Sequence, residues 1–132
     1  MGLVTLQEAK DHLLVDTSAG DSWINMAIEG VSDAVLRWLK EDWRAYVLLE
    51  DSNGIVLDSA GDPIPLEDSN GFVVKPVVKM ATLVELAVQY RFRDGVGYDR
   101  TATGDLYSGR YGYILSQGPT SLLHALRKTT LV

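Results

Sequence analysis

The chain has 132 residues, a net charge of -6 and no cysteine. That length makes one domain able to bury a core unaided, and the missing cysteines exclude disulfide staples, thiolate metal sites and cysteine nucleophiles, as fits a reducing compartment. The acidic balance argues against a grip on nucleic-acid phosphates, which rests on Lys and Arg displacing counterions.

The opening residues lack the basic and apolar regions of a secretory signal. Leu6 stands where a myristoylation pattern wants Ser or Thr. No apolar run approaches the length of a membrane span. Thr5-Leu-Gln-Glu8 forms a capping box, and Leu6, Ala9, Leu13 and Leu14 follow as an apolar stripe, which predicts a helix over Leu6–Leu14. Val15 to Gly20 is a polar turn.

Asp21 to Lys40 carries the strongest pattern in the chain. Ile24, Ala27, Ile28, Val31, Val35, Trp38 and Leu39 recur at helical spacing. The acids Asp21, Glu29 and Asp33 precede the bases Arg37 and Lys40, which suits the helix dipole. The helix is expected to run to about Asp42. Trp23 and Met26 lie off its main stripe and are too apolar for a solvated face, so they are read as contacts for another protein surface. Polar replacement of Trp23 is expected to impair assembly more than folding.

Residues 43–75 change texture to a β-rich insertion. Leu49-Glu-Asp-Ser-Asn-Gly-Ile-Val56 and Leu66-Glu-Asp-Ser-Asn-Gly-Phe-Val73 agree at seven of eight positions. Two copies do not make a solenoid. They predict two similar turns at Asn53-Gly54 and Asn70-Gly71, the pair that favours tight hairpins, with Asp62 to Pro65 as loop between them. Asp51 opens a stretch that faintly matches a calcium loop, but Ile55 stands at a ligand position and the glycine comes too early.

Pro76 opens a second long helix, as proline does at a first helical position. Its expected stripe is Val77, Met80, Ala81, Val84, Ala87 and Val88, ending near Tyr90–Arg93. Gly95 to Gly118 then holds six of the twelve glycines, interleaved with Tyr98, Tyr107, Tyr111 and Tyr113. So long a connection is expected to be functional or ordered by a partner, with a strand at Tyr111–Leu115. Tyrosines and arginines there could stack bases, but the charge is mixed and such residues equally favour protein interfaces. Pro119 is expected to start a last helix, Thr120 to about Lys128, with Leu122, Leu123 and Leu126 on one side. The tail Thr129–Val132 is expected to be loose.

No catalytic constellation emerges. His12 and His124 are single histidines without a partner at metal or acid–base spacing. Gly95-Val-Gly97-Tyr-Asp-Arg100 has Arg100 for the third glycine of a dinucleotide fingerprint and follows a predicted helix, not a strand. The expectation is a non-enzyme without cofactor or metal. Its fold class is mainly α, one domain over 1–132. It is expected as a small bundle with a short N-terminal helix, two long antiparallel helices and a short C-terminal helix, plus the β-hairpin insertion and the Gly/Tyr loop.

The order of motifs resembles the head-tail connector, or adaptor, proteins of tailed bacteriophages. Val4-Thr-Leu-Gln-Glu-Ala-Lys-Asp-His-Leu-Leu-Val-Asp16 is similar to that family's opening. A helix like Trp23–Leu39 follows, then one from a proline to Tyr-Arg, as Pro76–Arg91, and a closing Leu122-Leu123-His-Ala-Leu-Arg127. The insertion and the Gly/Tyr loop depart from the pattern.

The resemblance implies a structural virion protein in the neck, assembled in the bacterial host cytoplasm. It implies a ring under the portal, dodecameric in the virion, that extends the DNA channel without specific binding and offers a docking platform to a tail-side neck protein. An acidic lumen would let DNA slide. Another neck or tail-completion ring protein is the alternative, and a small helical ligand-binding domain or enzyme a further one. The interface residues expected are Trp23, Met26, Tyr107, Tyr111, Tyr113, Leu122, Leu123, Leu126 and Arg127, with the C-terminal segment docking on the portal.

Overall fold

The computed structural model describes residues 2–91 and 115–128. Most of the Gly95–Gly118 connection, with Tyr107, Tyr111 and Tyr113, lies outside the described residues, as does the tail Thr129–Val132. The described residues form a mainly α fold with four α-helices and two small antiparallel hairpins.

Helix α1 spans Leu6–Leu13 and begins as its capping box dictates. Thr5 Oγ1 accepts from the Glu8 amide at 3.1 Å and Glu8 Oε2 accepts from the Thr5 amide at 2.8 Å, so two otherwise orphaned donors are satisfied. Leu14 does not extend the stripe as expected. It is the left-handed cap at φ 58°, and its side chain is 92% exposed.

Helix α2 spans Asp21–Leu39 and buries Ile24, Ile28, Val31, Val35 and Leu39, the predicted stripe. It stops three residues before the expected Asp42. Lys40 adopts φ 74° and donates its amide to Leu36 O, which terminates the ladder. Asp42–Ala45 is a separate 3-10 turn. The chain before α1 is tied to α2 by the Leu3 amide, which donates to the buried Ser32 Oγ at 2.9 Å.

Helix α3 spans Pro76–Arg91, and here the expected stripe is corrected. The buried residues are Val78, Ala81, Thr82, Glu85 and Leu86, while Met80 is 49% exposed. Apolar residues surround this helix, so periodicity alone could not select a face. The chosen face holds two polar residues whose bonds are satisfied inside: Thr82 Oγ1 donates to Val78 O at 2.8 Å, and Glu85 accepts from Ser116 and Gln89.

Helix α4 spans Gln117–Leu123 and is followed by a 3-10 turn, His124–Leu126. It starts before the expected Pro119, which is buried in its first turn. The helix is also shorter than expected, because the chain tightens into 3-10 geometry at His124. Helix α3 packs on α4, α2 and α1. A single core cluster joins all four helices, with Leu3, Ala9, Val35, Leu86 and Leu123 among its members.

The insertion folds as a duplicated unit with an offset of 17 residues. Strands β1 (Glu50–Asp51) and β2 (Gly54–Ile55) make one hairpin, β3 (Glu67–Asp68) and β4 (Gly71–Phe72) the other. Gly54 and Gly71 sit at φ 111° and 109°, a region that an L side chain rarely adopts. In each turn an aspartate side chain, Asp51 or Asp68, accepts from the amide two residues on at 2.8 Å.

The two halves are crossed. The segment before the first hairpin bonds the second: the Val47 amide donates to Val73 O and the Leu66 amide to Val47 O. The segment before the second hairpin bonds the first in the same way: Ile64 N donates to Val56 O and Leu49 N to Ile64 O. The bridges Tyr46 with Val74 and Leu57 with Pro63 are images of each other, and Leu48 with Pro65 is its own image. The unit therefore has an internal pseudo-twofold axis that passes near Leu48 and Pro65.

Candidate interaction surfaces

The two ends of this β unit are equivalent in backbone and different in surroundings. At one end Tyr46 and Val74 pack against the helical core, and the Lys75 amide donates to the buried Ala45 carbonyl. Tyr46 also meets Phe72 at 5.0 Å between ring centroids. Burial, and then Asp42, push its phenol pKa up, while burial, and then Arg44, pull the Lys75 ammonium pKa down.

At the other end Leu57 and Pro63 occupy the matching places; neither packs against the core cluster, and Leu57 is exposed while Pro63 is half-buried. Leu57 is 55% exposed and Ile55 49%. Asp58 closes this end: its amide donates to Asp62 O, and its carboxylate accepts from the Ala60 and Asp62 amides.

The unit is also where the charge resides. Between Tyr46 and Val74 there are six carboxylates (Glu50, Asp51, Asp58, Asp62, Glu67 and Asp68) and no Lys, Arg or His. The chain's remaining twelve acids match its twelve Lys and Arg, so the net charge of -6 equals that of the β unit.

A second surface runs along α2. A groove of about 1010 Å³ lies beside this helix. Ala27, Gly30 and Ala34 contribute small residues to its lining, and Trp23, Met26 and Trp38 large ones. Among the described residues, a Cβ added at Gly30 would meet nothing within 4 Å. The C-terminal end of α2 is basic. The Arg127 guanidinium stacks 4.6 Å from the Trp38 ring centroid, and its Nε donates to Trp38 O at 3.0 Å. Arg37 and Lys40 are exposed there, and the Lys128 amide donates to Leu39 O.

The residues singled out from the sequence fall into different places. Met26 is 65% exposed in the groove. Trp23 lines it too, but packs against the core and meets Tyr90 edge-on at 5.7 Å, so its replacement disturbs folding as well as any contact. Leu122 is 38% exposed, and Leu126 is half-buried against the core with its carbonyl accepting from Arg44 Nη1 at 3.1 Å. Leu123, expected at an interface, is fully buried in the core of its own chain.

What the sequence did not single out is the pairing of Glu85 with Ser116 and the groove floor at Gly30. Glu85 is the one acid of α3, and an acid within so apolar a helix was the available signal.

His12 and His124 are both exposed. Among the described residues no three His, Asp or Glu side chains gather as metal ligands would. No helix there is long and apolar enough to cross a membrane.

Compared with models of protein families, with curated proteins and with solved structures, the chain finds no match. Function therefore rests on the chain's own residues and surfaces.

Proposed function

We propose that the protein is a structural component of a tailed-phage neck: a head-tail connector that forms a ring under the portal, extends the DNA channel and offers the tail a docking platform. The observation that carries this reading is the opening stretch Val4–Asp16, whose order of Thr, Leu, Glu, Ala, Lys, His, Leu, Val and Asp resembles the start of connector proteins. A mainly α frame with one acidic β-rich arm and an apolar groove gives a part held by neighbours the surfaces it needs. In this reading α2 and α3 are the antiparallel pair of a small bundle, and copies contact one another head to tail around a closed ring. The concentration of carboxylates on the β unit suits a lumen through which DNA slides without being gripped.

Portal docking is assigned to the C-terminal segment Thr120–Val132, and the deletion that tests it is confined to the residues after Lys128. Helix α4 is part of the core, so removing it would unfold the chain and test nothing about docking. The test is co-purification with the portal protein encoded in the same genome, using the full chain and a version ending at Lys128. The full chain is expected to sediment with the portal as a ring assembly, and the shortened chain to fold but not join it. Binding to a tail-side neck protein and not to the portal would transfer the assignment to a ring further down the neck. A monomer that joins neither would overturn the connector reading.

A further inference from the structure

The pseudo-twofold unit raises a question that its docked end answers in part. One end, at Tyr46 and Val74, is covered by the chain's own helical frame. The backbone-equivalent end, at Leu57 and Pro63, carries exposed Leu57 and Ile55 beside Asp58 and Asp62. An acidic, apolar-tipped protrusion calls for an apolar recess with a basic border. The same chain has one: the α2 groove with Gly30 and Ala34, bordered by Arg37 and Arg127.

We propose that the free end of the β unit of one copy docks into the α2 groove of a second copy. Leu57 and Ile55 would lie over Gly30 and Ala34, with Asp58 and Asp62 facing Arg37 and Arg127. The contact joins two different surfaces, so it is heterologous and each docked copy leaves another groove and another β unit free. This inference rests on the ring reading above and names its interface.

Two features favour a second copy over another basic partner. The charge is complementary within a single sequence: the β unit holds six carboxylates and no cation, while the end of α2 gathers Arg37, Lys40, Arg127 and Lys128 against Asp33 and Glu41. The Arg37–Asp33 pair is exposed on both sides, and such a pair is weak and easily exchanged for a new partner. The apolar parts also match in kind, with exposed branched side chains on one surface and the small residues Gly30 and Ala34 on the other.

The absence of native cysteine makes a direct test available. Leu57→Cys and Gly30→Cys are prepared as separate proteins, and a short bis-maleimide is added to each alone and to their mixture at high protein concentration. Covalent dimers are expected in the mixture at several-fold higher yield than in either protein alone. The variant carrying both substitutions is expected to give a ladder beyond dimer. Raising the salt concentration, or adding Arg37→Glu to the Gly30→Cys protein, is expected to lower the yield several-fold, since exposed charges are screened within about 8 Å at physiological salt.

Dimers as abundant in either protein alone would show an isologous contact and overturn the proposal. So would a yield indifferent to salt and to Arg37→Glu, or a Gly30→Cys thiol already shielded from maleimide in dilute monomer by the chain's own residues. Sedimentation of the cysteine-free protein separates the two readings: rings there, together with no excess of mixed cross-link between Leu57→Cys and Gly30→Cys, overturn the interface alone, whereas absence of any oligomer, with or without the portal, overturns both.

Discussion

Glu85 Oε2 accepts from both the amide and the hydroxyl of Ser116, at 3.1 and 2.7 Å, across 31 residues of chain. Ser116 precedes the first residue of α4, and its own side chain makes no capping bond to the helix. A buried carboxylate on α3 thus holds the start of α4 in place, and Gln89 Nε2 donates to its other oxygen at 3.1 Å. Glu85→Ala should destabilise the protein by about 2 kcal/mol or more, because it leaves the Ser116 donors buried without an acceptor. Glu85→Gln keeps one acceptor oxygen and should cost less. Urea denaturation of the three proteins checks the order.

Leu122 and Leu123 are neighbours with opposite roles. Leu123→Ala removes a fully buried side chain from the core and should cost about 3 kcal/mol. Leu122→Ala alters a 38% exposed residue and should cost below about 1 kcal/mol. Thermal unfolding of both variants separates the core position from the surface one.

Gly54 and Gly71 are images under the pseudo-twofold. Alanine at either must adopt a positive φ, at a cost of about 1–2 kcal/mol. The Gly71 hairpin adjoins Phe72 and Tyr46, and so the docked end. The Gly54 hairpin carries the free end. Hydrogen exchange should therefore show Gly54→Ala loosening the amides of Val56 and Ile64, and Gly71→Ala loosening those of Val47 and Val73.

Acid should weaken the contact between α1 and α3. Burial pushes the Glu8 carboxyl up, but its hydrogen bond to Lys79 Nζ, at 2.6 Å, and the Thr5 amide outweigh that and hold it below the ordinary 4.5. A carboxyl lowered in the folded state contributes stability above its unfolded value, and loses it as pH falls through the folded one. The urea midpoint of the native protein should drop as pH is lowered through and below 4.5. Glu8→Gln should start lower at neutral pH and fall less steeply over that range.

Leu14 holds a left-handed backbone with a β-carbon, and its side chain is almost wholly exposed. Leu14→Gly should relieve that strain and raise stability by up to about 1 kcal/mol. The melting temperature should rise while the far-UV helical signal stays unchanged.

Features settled within a few residues of chain were legible in the sequence. Thr5 and Glu8 cap each other three positions apart, the α2 stripe repeats over one strongly amphipathic helix, and Asn-Gly marks both turns, because these choices depend on local geometry. Tertiary structure decided the rest. Helix α3 is apolar on several sides, so its buried face was chosen by α1, α2 and α4 and by the bonds that satisfy Thr82 and Glu85. Leu122 and Leu123 look alike in composition, and only the packing of α4 on α3 sends one inward. The near-identical repeats announced two turns, but not that each segment crosses to the other hairpin. Nor did they announce that one end of the pair would pack against the frame while Leu57 at its image stays exposed.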